Sequence, residues 1–369
     1  MNLNFSERSH WIALNLIPSM TAKKFKLLLE HFQSVEEIWA APPSKLKEIV
    51  RFVRYADDFV RHRSEVDLDA ELQRIEKRGL SVITLLDENY PKSLRAIDDP
   101  PALLYVKGSY IDKDELAIAI VGTRKPSSYG KLIAEKLAKE LGALGFTIIS
   151  GMALGIDTAA HNGALAAGQR TIAVLGGGFS KIYPSENKNL LEKIASSGAV
   201  LSEYSIEMAP DKWTFPKRNR IISGLTRGTI VVEAPERSGA LITARCALEQ
   251  GREVFAVPGP ISDESHSGTH KLIQDGAKLV RNVDDILTEF SDLRKTLEAK
   301  RSITRREKEP QLSALEQKIF SVLQFEPIHF NDVIERSGSS TSETSFALLQ
   351  LVMKELVKEL EGKRFAKLP

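Results

Sequence analysis

The chain has 369 residues, 42% of them hydrophobic and 27% charged, which suits two or three folded domains and excludes a low-complexity or disordered composition. Lys plus Arg exceed Asp plus Glu by only two, so a nucleic-acid surface must come from local clustering and not from net charge. The single cysteine, Cys246, excludes an internal disulfide and a cysteine-based zinc cluster; the seven histidines show no H-E-x-x-H spacing, so neither metal nor cofactor is expected.

The first twenty residues mix charges with a short apolar run. They lack the long clean apolar core of a signal peptide or membrane span, so a reducing cytoplasm and no membrane partner are expected. Residues 1–78 read as an N-terminal helical module of SAM or helix-hairpin-helix type. "WIALNLIPSMTAKKFKLLLEHF" is apolar at helical spacing and interrupted at Pro18, with Ser19 or Thr21 as N-cap. "SVEEIWA" opens another helix, and "DLDAELQRIEKRG" a further one that ends at Gly79.

Residues 79–290 form the expected central domain, with 79–115 as a lead-in carrying two short β-like runs and several prolines. From there strands and helices alternate. "LAIAIV" (116–121), "FTIIS" (146–150), "RTIAVLGG" (170–177), "AVLSEY" (199–204), "TIVVEA" (229–234), "EVFAVPG" (253–259) and "AKLVRN" (277–282) are the strand-like runs. Near-continuous apolar strands separated by helices indicate a doubly wound, mainly parallel α/β sheet. Residues 291–311 are charge-rich and read as a linker. Residues 312–369 give three helices and a basic, hairpin-like tail, the outline of a winged helix.

In such a sheet, ligands bind beyond the carboxyl ends of the strands. Three of those ends, "GTRKPSSYG", "SGMALGIDTAAH" and "GGGFSKIYPSEN", are glycine-rich turns entering helices, which suit an anionic phosphate. On the same edge lies "KWTFPKRNRIISG" (212–224), with Lys212, Lys217, Arg218 and Arg220 around Trp213 and Phe215. Cations for successive phosphates beside rings for bases are the combination of a single-strand groove. A G-x-G-x-x-G fingerprint and a P-loop are both absent. Asp157 and His161 stand at i, i+4; a helix cap and a satisfied buried histidine are the favoured roles, over an acid–base pair. Glu203 and Glu233 end strands taken as neighbours and offer a pair of carboxylates for a hydrolase.

"SGMALGIDTAAH", "GGGFSKIYPSEN", "FPKRNRIISGL", "VVEA", "SGALITA" and "GREVFAVPG", in this order, resemble the DNA-processing protein A (DprA/Smf) family of bacteria. The resemblance covers roughly residues 115–285 and implies a Rossmann-like core that binds single-stranded DNA without strong sequence preference and forms a homodimer; a non-enzymatic role is the preferred reading. The resemblance further implies protection of incoming strands and loading of a RecA-type recombinase in natural transformation. By motif, Arg124 and Lys212 would contact phosphates, Phe215 would stack on or wedge beside a base, and Lys217 belongs to the same basic run. Arg218 and Asn219 would bind backbone or hold the loop, and Gly151 and Gly177 would allow close backbone approach. His270, Ile273 and Leu279 are the implied dimer contacts, and the helix of Cys246 and Leu248 a weaker recombinase-facing candidate. Ser185 stands where some members carry a basic residue, a place Lys181 or Lys188 would fill. The terminal module carries seven Lys/Arg against eight Asp/Glu, and its recognition helix opens "TSETSFALL" without a cation. The alternative reading is a nucleotide hydrolase working through Glu203 or Glu233. Those enzymes carry a P-G-G-x-G-T-x-x-E run where this chain has "EAPERSGALITA".

Overall fold

The computed structural model describes residues 5–18, 20–290, 312–354 and 356–368. Ser19 and the expected linker 291–311 lie outside the described residues. The described chain falls into two compact units, one running to Phe290 and one beginning at Leu312.

Six short helices open the first unit: α1 (Phe5–Asn15), α2 (Ala22–Leu29), α3 (Val35–Ala40), α4 (Pro43–Glu48), α5 (Ala56–Glu65) and α6 (Leu68–Lys77). Thr21, Ser34 and Asp67 cap α2, α3 and α6 by accepting a backbone N–H that would otherwise lack a partner. Trp11 stacks on Phe25 with ring centroids 4.6 Å apart, and the cluster around them continues through Leu103, Tyr105 and Val200 of the sheet. The helical module therefore shares a core with the central domain.

Next come β1 (Ser81–Thr84), α7 (Lys92–Arg95), β2 (Leu103–Gly108), β3 (Ala117–Val121), α8 (Ser128–Ala143), β4 (Thr147–Ser150) and α9 (Ile156–Ala166). They are followed by β5 (Thr171–Val174), α10 (Lys188–Ser197), β6 (Ala199–Ser202), α11 (Thr214–Gly224) and β7 (Gly228–Val231). The unit closes with α12 (Gly239–Glu249), β8 (Glu253–Ala256), α13 (Ser267–Gln274), β9 (Lys278–Leu279) and α14 (Val283–Leu287). The nine strands lie in the order β1-β2-β6-β5-β4-β3-β7-β8-β9. β6 to β9 are parallel throughout, and the lead-in adds β2 and β1 antiparallel at one edge. Alternate residues of β3 serve opposite faces: Ile118 and Ile120 pack among α8 and α9, and Ala117, Ala119 and Val121 among α11 and α12. Burial on both faces is why these strands read as unbroken apolar runs.

The chain winds from β3 outward to β6, then crosses back to place β7 on the other side of β3. This Rossmann-like, doubly wound order puts the switch point between β3 and β7, where a crevice opens at the carboxyl ends. It also corrects one expectation. Glu203 follows β6 and Glu233 follows β7, but β5, β4 and β3 lie between them. Four strand spacings, roughly 19 Å, separate the two positions, so the glutamates form no carboxylate pair.

The second unit is a winged helix: α15 (Ala314–Val322), β10 (Ile328–His329), α16 (Phe330–Ser337), α17 (Thr341–Met353), β11 (Val357–Leu360) and β12 (Arg364–Lys367). Gly338, left-handed at φ 60°, ends α16, and Ser340 starts α17 in a capping box with Glu343. Ile319, Leu348, Leu351 and Phe365 form its core. Among the described residues, no helix is long and apolar enough to cross a membrane.

Candidate nucleic-acid interface

The loop after β4, residues 151–155, is held in an unusual shape. Met152 has a left-handed φ of 61°, a conformation that costs a non-glycine residue about 1–3 kcal/mol and needs neighbours to enforce it. Those neighbours are polar and buried. Asn187 Nδ2 donates to the Met152 carbonyl at 2.9 Å, and Asp157 accepts the N–H groups of Gly151 at 3.1 Å and Ala153 at 3.3 Å. Arg218 reaches in from α11, its Nη1 donating to the Gly151 carbonyl at 2.7 Å and to the Val174 carbonyl. With 4% of its surface exposed, Arg218 clamps the ends of β4 and β5 together. Burial lowers its pKa to about 10, against the opposing pull of Asp157, and leaves it a cation at neutral pH. A Cβ on Gly151 would sit 2.7 Å from that guanidinium, so the glycine makes room for Arg218 itself.

Above this clamp lies a shallow crevice lined by Arg124, Gly151, Ala153, Leu154, Tyr183, Pro184, Phe215 and Arg218. Arg124, exposed in the loop after β3, stands over the Phe215 ring at 5.3 Å, a cation–π distance. Tyr183, 52% exposed, faces Phe215 with centroids 5.7 Å apart. Phe215 is seated by Gly176, where a Cβ would meet the ring at 2.5 Å, and by Thr214, whose hydroxyl donates to the Gly176 carbonyl. Trp213, 54% exposed, stands edge-on to Tyr204 rather than plugging the core. Lys212 beside it is exposed, as are Lys125, Lys181 and Lys188.

The remaining cations of the 212–220 run are tied to the chain's own acids. Arg220 donates to Glu203 at 2.6 Å and to Asp99 at 3.1 Å. Lys217 lies 3.8 Å from the same Glu203 and 5.7 Å from the Tyr204 ring centroid. Asn219 is buried, its Nδ2 donating to the Gly239 carbonyl at 3.3 Å. Gly177 accommodates Pro210, which a Cβ would approach to 2.8 Å. Two of the three glycine turns likewise have their N–H groups engaged. Ser127 N–H and Oγ both donate to Glu233 at the start of α8, and Asp157 serves the turn before α9. The positive helix ends there are neutralised from within, so an anion's grip falls to side-chain cations. Glu203 and Glu233 are thus both engaged in buried bonds. Ser185 donates to Glu186 at 3.0 Å on the surface.

His161 has the structural role favoured from its spacing. Its Nδ1 meets Thr171 Oγ1 at 2.7 Å, and Thr171 spends its own proton on the Ile148 carbonyl, so Nδ1 carries the hydrogen. Burial, reinforced by Arg218, lowers its pKa to about 3.

At the far edge of the sheet, His270 on α13 donates from Nε2 to the Gly259 carbonyl at 3.0 Å, Ile273 is half-buried, and Leu279 is exposed on edge strand β9. On α12, Cys246 is half-buried, its thiol pKa raised chiefly by burial, and Leu248 is exposed. Sequence reading missed Tyr183 and Leu154. The signal for Tyr183 was available as an aromatic just before the Pro-Ser-Glu-Asn turn at a strand end.

A family model described as DNA recombination-mediator protein A matches residues 81–291, and one described as the DprA winged helix domain matches residues 304–363. Protein Smf of Synechocystis is 33% identical over 393 residues, covering 98% of both chains. DNA processing protein DprA of Bacillus subtilis is 48% identical over 218 residues, covering 58% of this chain and 73% of the relative. Among solved structures, DNA processing protein A of Streptococcus pneumoniae aligns with a TM-score of 0.67 at 38% identity, over 78% of this chain and 99% of that one. The Helicobacter pylori protein, described for its single-stranded DNA binding mode, aligns at 0.51 and 33% identity, over 57% and 95%. The parallel core and the winged helix carry these matches together, and the chain belongs to the DNA processing protein A (DprA/Smf) family of recombination mediators.

Proposed function

We propose that this chain binds single-stranded DNA along the carboxyl-end edge of its sheet and acts as a non-enzymatic recombination mediator. In this reading it works in the cytoplasm of a bacterium, protects incoming strands during natural transformation and helps to load a RecA-type recombinase. It does so as a homodimer joined through His270, Ile273 and Leu279. The observation that carries the reading is the grouping of exposed Arg124, half-buried Phe215 and exposed Tyr183 above the buried cation of Arg218. Rings offer stacking faces to bases of any sequence, and the cations Arg124 and Lys212 serve the flanking phosphates. Support also comes from the similarity to the Helicobacter pylori protein described for single-strand binding. The internal bonds of Glu203 and Glu233 favour binding over the hydrolase alternative.

The test is fluorescence anisotropy of a labelled dT-rich strand at several salt concentrations. Arg124→Glu and Lys212→Glu should each weaken binding and flatten the salt slope by about one phosphate contact. Phe215→Ala should cost about 1–3 kcal/mol with the slope unchanged. Normal binding by both charge reversals would rule out this edge as the site.

A further inference from the structure

Of the two rings in the 212–220 run, Phe215 lines the crevice and Trp213 lies outside it, 54% exposed at the start of α11. Its setting is rigid. The neighbouring Thr214 is buried: its hydroxyl donates to the Gly176 carbonyl, its N–H donates to the Asp211 carbonyl at 3.1 Å, and the Asp211 N–H donates to its Oγ1 at 2.9 Å. Tyr204, also buried, donates from its hydroxyl to the Thr214 carbonyl at 3.2 Å. Its ring meets Trp213 edge-on, with 6.3 Å between centroids and 86° between planes. An edge-on contact covers at most one face of a ring, so an indole face is left open to solvent on a turn already fixed in place.

The strand ends set the order of these features along the edge. Arg124 follows β3, Phe215 rests on Gly176 just after β5, and Trp213 stands on Tyr204 just after β6. These strands lie side by side as β6-β5-β4-β3, so Arg124 and Trp213 stand at ends three strand spacings apart, roughly 14 Å. Phe215 and Trp213 are close neighbours on it, since two residues of chain reach no more than about 7 Å. We propose that Trp213 is a second stacking platform, taking the base next along the strand from the one at Phe215. The inference rests on the proposed single-strand reading of this edge and gives the strand its course, across the sheet from β3 to β6. Lys212, exposed one residue before the indole, supplies the cation for the adjoining phosphate. A ring face accepts any base, so the platform adds affinity without adding sequence preference.

The test uses the full chain and reads two signals: anisotropy of a labelled dT-rich strand for binding, and indole fluorescence against the unlabelled strand for stacking. Trp11 is buried and Trp39 partly buried in the helical module, so quenching by a stacked base reports on Trp213. Wild type should be quenched in step with binding. Trp213→Leu should lose the quenching and bind about 5- to 150-fold more weakly at an unchanged salt slope. Trp213→Tyr keeps a ring and should recover most of the affinity. On an abasic strand with the same phosphates, wild type and Trp213→Leu should bind alike, a result that a damaged fold would not give. Binding without quenching overturns the platform and leaves the edge as the site. So does a Trp213→Leu affinity for dT equal to wild type while Phe215→Ala binds weakly. Binding that survives both Arg124→Glu and Lys212→Glu overturns the edge, and the platform with it.

Discussion

The carboxylate of Glu71, on α6, accepts the backbone N–H of Ile206 at 2.9 Å, 135 residues further along the chain. Arg74 lies 3.4 Å from Glu71 and 3.5 Å from Glu207, Arg78 lies 3.7 Å from Glu207, and Asn15 donates to the Glu203 carbonyl at 3.2 Å. The helical module thereby braces the loop that leads from β6 to Lys212, Trp213 and Phe215. Glu71→Ala should leave the buried Ile206 N–H unpaired and destabilise the first unit by about 1–3 kcal/mol in urea titration. The folded fraction should bind a single strand several-fold more weakly at an unchanged salt slope, since no phosphate contact is removed. Glu71→Gln retains an acceptor oxygen and should recover most of both losses. Undiminished affinity in folded Glu71→Ala would mean the loop is held without this bond.

Gly176 controls Phe215 from below. A methyl group there would meet the ring at 2.5 Å, inside any real contact distance, while the ring's other side faces Arg124 and Tyr183. Gly176→Ala should therefore lift Phe215 out of its seat and weaken strand binding by an amount close to that of Phe215→Ala. The double change Gly176→Ala/Phe215→Ala should be no worse than either alone, because both act through one ring. Additive losses in the anisotropy titration would show that Gly176 matters for another reason.

How far the sequence revealed this arrangement follows from which interactions are local. All seven expected strands from 116 onward coincide with β3 to β9, because double burial writes each one as an apolar run. Their order is not written locally. Glu203 and Glu233 looked adjacent because their strands follow each other in the chain, while the crossover at β3–β7 sets them far apart. The cation run at 212–220 was overcounted for a similar reason. The acids that occupy Arg220 and Lys217 come from Asp99 and Glu203, outside the run. Glycines at strand ends were read as room for a ligand, whereas Gly151 and Gly177 are filled by Arg218 and Pro210 of the same chain.

Arg218 should prove more important to stability than its place in a basic run suggests. Its removal leaves the Gly151 and Val174 carbonyls without their donor and Asp157 without the cation that offsets its burial. Breaking a buried ionic arrangement on one side costs about 3–5 kcal/mol. Arg218→Met, similar in length and apolar, should lower the unfolding free energy by that order, whereas Lys212→Glu on the exposed loop should shift it by less than about 0.5 kcal/mol. Similar denaturation midpoints for the two variants would contradict the clamp.

His161 supplies a pH dependence of known sign. It is buried and neutral, its Nε2 has no partner, and its pKa falls from 6.5 to about 3 through burial first and the nearby Arg218 second. A group whose folded pKa is depressed lends its full stability above the unfolded value. That stability is lost as pH falls from 6.5 toward 3, because only the unfolded chain takes up the proton. By pH 4 the loss should reach roughly 3 kcal/mol. His161→Gln keeps a donor for Thr171 and cannot titrate. Urea denaturation followed by tryptophan fluorescence between pH 8 and pH 4 should show the two proteins with a constant stability difference above pH 7. Below that, the wild type should lose ground to the variant. Parallel curves over the whole range would mean that His161 is reached by a proton in the folded state, and that its burial between α9 and β5 is less complete than its contacts indicate.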